Sequence, residues 1–466
     1  MKETADTAFR VADELRVEAP WEVFGERLRR YEIYLNGSAV ELMRGPLVLE
    51  GFGLRVLRPR SGKLGIGFQA TTDLSVTGIR AAVADAEATA SGSLYPAASA
   101  ELPGPKPGPA ESPAILDESL WERPDQRLEA YVAELARSFE GRKGVGLSFG
   151  SVRATLSESS LANSSGNRLR FASTLVEIEL AVKSAAGPEG PVPGEYWVNE
   201  LSRRLDSSGL TGKVDRWCGY ARDVRTARSP PTGEIPVLFA TGSLGDIVPV
   251  ALGSRLSASA RLREIAPEVG SQIGSSSLTI VDDGAVPWGP LSGAYDDEGS
   301  PQRPRTLLQD GCVTELLYDC AGGAAFSTPT TGNGLRGHGF LTLSWKRFLN
   351  RPGPGTSTVV IRPGRDGTLE ELAETAQDGI LAVQIGFPTP DAVSTAFGGE
   401  LRMGYRIRGG KLAEAVRGGT VGGLVISTPG APSLLGSVAG VGSHGELVDT
   451  LSAPPLLVRP FSVAGS

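Results

Sequence analysis

Breaks, more than runs, set the limits on this chain. Of its 466 residues, 61 are Gly and 33 are Pro, roughly a fifth of the whole against about an eighth in average usage. Both residues punctuate regular structure, Pro by removing a backbone donor and Gly by its conformational freedom. They concentrate at 102–113 (LPGPKPGPAESP), 185–196 (AAGPEGPVPGEY) and 228–233 (RSPPTG). Such stretches disfavour helix and central strand and read as exposed connections. The last is the best domain boundary, because the pattern changes after it.

Before that boundary helices and strands are mixed. Residues 54–57 and 64–70 predict strands joined by a turn, and 77–90 a small-residue helix capped by Thr77. Within 125–139, Leu128, Tyr131, Val132, Leu135 and Phe139 recur at one-face helical spacing. Residues 169–182 form the longest strand candidate, and a switch of apolar parity predicts a bulge near Leu175. After the boundary short strands dominate, at 278–281, 358–361 and 380–385. Met403, Tyr405 and Ile407 alternate with arginines up to a Gly409-Gly410 turn, a hairpin signal continued by 411–416. The reading is a mixed α/β half followed by a β-rich half, without internal repeats.

Composition removes several functions. The formal net charge is −7, so the basic footprint of a nucleic-acid binder is absent and no direct nucleic-acid contact is expected. Three cysteines (Cys218, Cys312, Cys320) exclude a disulfide scaffold. The two histidines, His338 and His444, stand far apart and cannot form a histidine pair on one helix. The charged start has no apolar signal segment, and no apolar run approaches the roughly 18–20 residues that cross a bilayer. The expectation is a cytoplasmic protein with no membrane partner.

Chemistry-bearing residues gather in two places. In 278–299 (LTIVDDGAVPWGPLSGAYDDEG), Asp282-Asp283 and Asp296-Asp297-Glu298 each end in glycine, Gly284 and Gly299. Carboxylates grouped this way could bind a divalent cation or hold a proton; the plainer reading is turns, which Asp and Gly build. Residues 328–337 (TPTTGNGLRG) form a second loop, in which exposed amides, Asn333 and Arg336 could hold an anion. Again a plain loop is the simpler reading. Ser148 in GLSFG matches the nucleophile pattern GxSxG, but the sequence after it alternates like a strand where a helix is required. Gly62, Gly65 and Gly67 lie in a hairpin context and read as strand glycines. Residues 239–256 read as a helix with Thr241 or Ser243 as its cap, weakened by Pro249 unless that lies in the first turn. Cys312 and Cys320 bracket a strand-like segment at even spacing, on one face.

The blocks IPVLFATGSLGDIVPVAL, SLTIVDDG, YDDEGSPQRPRTLLQDGCV, STPTTGNG, GGELRMGYRIRGGKLAEAVRGGTVGG and PPLLVRPFSVAG follow one another in an order that resembles the TldD/PmbA (TldD/TldE) family. The segment GFGLRVLRPRSGKLGIGFQAT resembles that family's early hairpin. The resemblance implies an α+β fold of two domains, an N-terminal α/β domain over 1–229 and a β-rich C-terminal domain over 230–466 that carries the dimer contact. TldD-type chains of that family carry a zinc-binding HExxxH helix, whereas the corresponding segment here, 244–256, has neither His nor Glu. Near the expected third ligand, 440–446 (GVGSHGE) has no Cys. The chain thus resembles the TldE/PmbA branch. That implies a subunit without catalytic or metal residues of its own, and no cofactor in this chain. Zinc is expected in a TldD-like HExxxH-bearing partner, in a heterodimer acting on short or unfolded peptides; a homodimer is also open. Asp296, Asp297, Glu298, Asn333 and Arg336 are the candidates for lining a substrate chamber. Two other readings stand beside it: a tailoring component acting on an amide or amino-acid conjugate in natural-product biosynthesis, and a non-catalytic scaffold or regulatory binding protein.

Overall fold

The computed structural model of the chain describes residues 6–92, 94–108, 112–185, 193–337, 346–427 and 432–465. In its first half, helix α1 (Thr7–Glu14) precedes the long strands β1 (Trp21–Asn36), β2 (Ala39–Arg60) and β3 (Lys63–Thr71). Helix α2 (Val76–Gly92), the two-residue β4 (Leu94–Tyr95) and helices α3 (Glu118–Glu122) and α4 (Pro124–Phe139) follow. Strands β5 (Val145–Asn163), β6 (Arg168–Ser184) and β7 (Gly194–Ser202) lead into helix α5 (Leu210–Asp223). All seven strands form one antiparallel sheet, in the order β4-β3-β2-β1-β5-β6-β7.

Helices cover one face of this sheet. The predicted stripe of α4 is buried: Leu128, Tyr131, Val132, Leu135 and Phe139 pack with Val152, Ala154, Val176 and Ile178 of the sheet. Helix α2 lies on β3, and Gly65 and Gly67 make that approach possible, since a Cβ on either would overlap the carbonyl oxygen of Ala90 or Ala86. Its first turn is capped by Ser75, whose Oγ accepts from the Gly78 amide at 3.1 Å, and not by Thr77. Strand β6 has no bulge at Leu175; the irregularity in its pairing lies between Leu147 and Phe149 of β5. The parity switch has a different cause. Val176, Ile178, Leu180 and Val182 face the helices, whereas Leu169 and Phe171 pack on the opposite face with Phe24, Leu28 and Phe348. Ser148 sits at that irregularity with strand on both sides, so no nucleophile elbow exists. The connection at 185–196 is shorter than expected, since β7 already begins at Gly194.

The second half opens with β8 (Gly233–Phe239) and helices α6 (Thr241–Leu244), α7 (Val248–Arg255) and α8 (Ala258–Leu262). Short strands follow at β9 (Ile280–Asp282), β10 (Arg305–Gln309) and β11 (Cys312–Val313), then helix α9 (Cys320–Ala325) and the pair β12 (Gly334–Leu335) and β13 (Gly353–Pro354). After β14 (Val359–Ile361) and α10 (Leu369–Ala376) come β15 (Asp378–Gly386), β16 (Ala396–Arg408), β17 (Lys411–Val416) and β18 (Thr420–Leu424). The chain ends in β19 (Val438–Val441), β20 (Glu446–Val448), β21 (Leu451–Ala453) and β22 (Leu456–Ala464). One sheet runs β11-β10-β9-β14-β21-β20, and the other closes on itself through β15, β8, β22, β18 and β16. The hairpin at Gly409-Gly410 is as predicted, with both glycines at positive φ (53° and 76°) and Arg408 opposite Lys411.

Between these sheets lies the largest core, including Phe239, Leu244, Ile247, Val248, Leu252 and Leu256. The single helix read from 239–256 is two, α6 and α7, broken after Leu244 so that Pro249 falls in the first turn of α7, where its missing amide costs nothing. The α6 cap position is Ala240, one residue before Thr241. Cys312 and Cys320 do not share a strand face: one lies in β11 and the other opens α9. No helix among the described residues is long and apolar enough to cross a membrane.

Candidate functional site

Strand register builds the floor of the site. Glu22 of β1 lies opposite Arg55, Phe24 opposite Gly53 and Leu161, Glu26 opposite Gly51 and Ser159, and Leu28 opposite Ser157. Directly opposed residues point to the same face. Ser159 pairs in turn with Phe171, and Ser157 with Ser173. The face turned away from the helices therefore carries two acids, an arginine, a row of hydroxyls and several apolar side chains. Gly51 and Gly53 leave it low enough for the turn Arg347–Leu349 to lie on it, because a Cβ at either glycine would strike Phe348.

Loops of the second half clamp this floor. The Phe348 amide donates to Glu26 Oε2 at 3.1 Å. Arg347 donates to Glu26 Oε1 and Asp297 Oδ1, both at 3.0 Å, and to Ser159 Oγ at 2.8 Å. Arg55 donates to Glu22 at 2.9 Å and to Glu298 at 2.6 Å, while Arg336 donates to the other Glu22 oxygen and to the Asn350 carbonyl. Glu22, Arg55, Glu298 and Arg336 are each 1% exposed or less. Two carboxylates and two guanidiniums thus neutralise one another inside the molecule, the condition under which buried charge is tolerated. Burial alone would lower Arg55, but Glu22 and Glu298 more than reverse this and raise it.

The five residues anticipated from the sequence all belong to this assembly. Asp296 accepts the amides of Glu298 (3.1 Å) and Ser300 (2.8 Å) on one oxygen and of Gly334 (2.9 Å) on the other. Asp297 accepts the Arg336 amide at 2.7 Å, Glu298 the Cys320 amide at 2.7 Å, and Asn333 donates to Asp282 at 2.6 Å. The two loops are therefore one structure, in which carboxylates of the first hold backbone donors of the second. Turn chemistry operates as well: Gly299 has φ +87°, and Asp283 accepts the Ala285 amide at 2.8 Å. Arg336 is consumed by Glu22, and its guanidinium lies over Phe24, 5.0 Å from the ring centroid.

A cavity of about 320 Å³ remains between floor and clamp. The sheet contributes Glu26, Thr155, Ser157, Leu169, Phe171 and Leu175, and the loops Pro290, Leu291, Asp296, Asp297, Arg336 and Arg347. Glu298 and Asn333 stand behind the wall and do not line it. Burial, with the neighbouring Glu298, raises Asp296 well above the usual carboxylate range against its three amide donors. Burial likewise lifts Asp282 to about 6. Arg203 also lines the cavity, and burial together with the like charge of Arg347 brings it down to about 9.

Glu22, Glu26, Arg55, Arg203 and Arg347 were not anticipated. Neither parity of β1 is uniformly apolar, so its pattern does not announce a strand. The usable signal was spacing: Glu22, Glu26 and Arg30 recur on one parity, as they would on a strand face covered by protein. His338 lies outside the described residues. His444 is exposed, with its ring Nδ1 2.8 Å from Ser443 Oγ. Cys218 is a buried core residue of α5. Among the described residues, no group of three His, Cys, Asp or Glu side chains is placed to hold a metal ion.

A family model described as the PmbA/TldA metallopeptidase C-terminal domain matches residues 232–465. The chain is 25% identical over 252 residues to a protein of Haemophilus influenzae named as a metalloprotease TldD homolog, covering 52% of this chain and 50% of that one. It is 28% identical over 247 residues to a zinc metalloprotease TldD homolog of Saccharolobus solfataricus, covering 51% and 53%. This chain spans about half the length of the curated relatives it matches. TldE from Thermococcus kodakarensis shares the fold at a TM-score of 0.76, with 18% identity over 98% of this chain and 99% of that one. With a family model matching half its length, over the segment that supplies the clamp loops, the chain belongs to the TldD/PmbA family.

Proposed function

We propose that this chain is the zinc-free, TldE/PmbA-like subunit of a two-subunit metallopeptidase, and that it shapes a chamber for short or unfolded peptides beside a metal-bearing partner. The observation that carries this reading is helix α7 (VPVALGSR), which offers no imidazole and no carboxylate where the family's active branch places HExxxH. Asp246, just before α7, is a carboxylate raised by burial and has another acid, Asp449, near it but no imidazole among the described residues. These residues do not fit a zinc ion. In the partner, zinc would activate the attacking water. This chain's own part would be to hold peptide along a wall of strand hydroxyls and apolar side chains, kept rigid by the charge clamp beneath it.

The test uses the purified chain with and without an HExxxH-bearing TldD-type partner from the same organism. Expected are no stoichiometric zinc by elemental analysis, no hydrolysis of a fluorogenic peptide by the chain alone, and hydrolysis on mixing beyond that of the partner alone. Stoichiometric zinc in this chain, or peptide hydrolysis without any partner, would overturn the proposal.

A further inference from the structure

Arg203 is the buried cation of the cavity wall that has no direct ion pair among the described residues; Asp297 and Glu26 act on it only from beyond ion-pair distance. It follows β7 directly and is fixed by its backbone: its amide donates to the Trp288 carbonyl at 3.2 Å, and its carbonyl accepts Thr174 Oγ1 at 2.5 Å. The guanidinium makes one hydrogen bond, from Nη1 to the Thr174 carbonyl at 3.3 Å, and its buried Nε has no acceptor among the described residues. The residue is 8% exposed. No carboxylate of the described residues forms an ion pair with it. Of the other arginines lining the cavity, Arg336 is held by Glu22, Arg347 by Glu26 and Asp297, and Arg170 is exposed with its guanidinium over the Phe9 ring. A buried guanidinium whose hydrogen-bond partner is a neutral carbonyl is costly, and an incoming anion in direct contact would relieve that cost.

We propose that the cavity anchors a single carboxylate on Arg203, with the apolar body of the acid against Phe171, Leu175 and Leu291. The choice of a peptide-derived acid, such as a chain's C-terminal carboxylate, rests on the chamber reading above. The preference for a monoanion rests on the cavity itself. Arg203 is the buried guanidinium of the wall without a direct ion pair, which suits one negative charge, and Glu26 and Asp297 nearby oppose a second. The apolar part of the wall suits a ligand with one charged head and a hydrophobic body, which inorganic phosphate lacks.

The experiment titrates the full chain, without a partner, by calorimetry with N-acetylphenylalanine, with its neutral amide N-acetylphenylalaninamide, and with inorganic phosphate. Expected is a preference of about tenfold or more for the acid over the amide, with phosphate no better than the amide. R203Q should abolish the preference, and R203K should retain part of it. Equal binding of acid and amide, binding of neither, phosphate matching the acid, or an undiminished preference in R203Q would overturn the proposal. Should R203Q fail to fold, the acid–amide comparison on the unaltered chain still decides. Because no partner is present, the anchor and the subunit reading fail separately. Acid preference without activation on mixing sinks the subunit reading alone, and activation without acid preference sinks the anchor alone.

Discussion

Replacing Arg55 with methionine removes one of two guanidiniums from a set of four buried charges. Glu22 then keeps Arg336, but Glu298 loses its 2.6 Å ion pair. Unpairing a charge at such depth costs about 3–5 kcal/mol, a large part of the roughly 5–15 kcal/mol that holds a typical domain folded. E22M alone should cost a similar amount, since it leaves two arginines facing one glutamate. The double variant R55M/E22M leaves Arg336 and Glu298, which still attract each other. Its cost should therefore fall short of the sum of the singles by about 1–3 kcal/mol. Urea unfolding followed by tryptophan fluorescence reads this cycle, with Trp21 adjacent to Glu22. A pH dependence should accompany it. Burial already raises Glu22, and Arg55 is among the charges that hold it down. Without Arg55 the folded variant binds that proton more tightly than the unfolded chain does, so R55M should be less destabilised at pH 5 than at pH 8. An R55M cost below about 1 kcal/mol, or singles that add within about 0.5 kcal/mol, would show that the four charges do not act as a unit.

Burial raises Asp282 to about 6 and Asp319 and Asp449 to about 7. A carboxyl raised in the folded state binds protons there that the unfolded chain has released, so its contribution is most favourable below pH 4 and is lost as pH rises to the folded value. Unfolding free energy should fall between pH 4.5 and 6, by up to about 1.4 kcal/mol per pH unit for each such group. D282N should flatten the slope; a flat profile in the parent, or an unchanged slope in D282N, would contradict the assignment. G67A should cost about 1–3 kcal/mol or more in thermal unfolding, because its Cβ overlaps the Ala86 carbonyl oxygen, whereas G92A, with nothing within 4 Å, should be near neutral. Equal effects of the two would refute the close approach of β3 to α2.

The legible parts of this chain were those decided locally. Helix α4 shows its buried stripe at 3.6-residue spacing, and the hairpin at Gly409-Gly410 announces itself because both turn positions need positive φ. The site was half legible. Asp296, Asp297, Glu298, Asn333 and Arg336 stand out as loop residues and do converge, but their partners are set by topology. Glu298 meets Arg55 across 243 residues, and Arg336 meets Glu22 across 314. No local pattern encodes such pairings. Strand β1 was obscured for a related reason, and β6, legible as a strand over 169–182, showed a parity switch that suggests a bulge where there is none. Both of their faces are covered, one by helices and one by the clamp, so neither shows the clean alternation of a half-exposed strand. Arg203 gave no signal because its significance lies in what it lacks.

The closed ring of strands in the second half also decides the order in which that half can be completed. Strand β22 sits between β8 and β18, with Val463 opposite Gly233 and Val421. Until that segment arrives, β8 can pair only with β15, and the assembly is an open sheet with two bare edges. Closure waits for residues 233 and 463 to meet, a search across nearly the whole half. The entropic penalty of so long a loop grows only slowly with length, but the rate of such pairing falls steeply with sequence separation. A chain stopped before Leu456 would hold every charge of the clamp, from Glu22 to Arg347, yet it would present two unpaired strand edges as templates for aggregation.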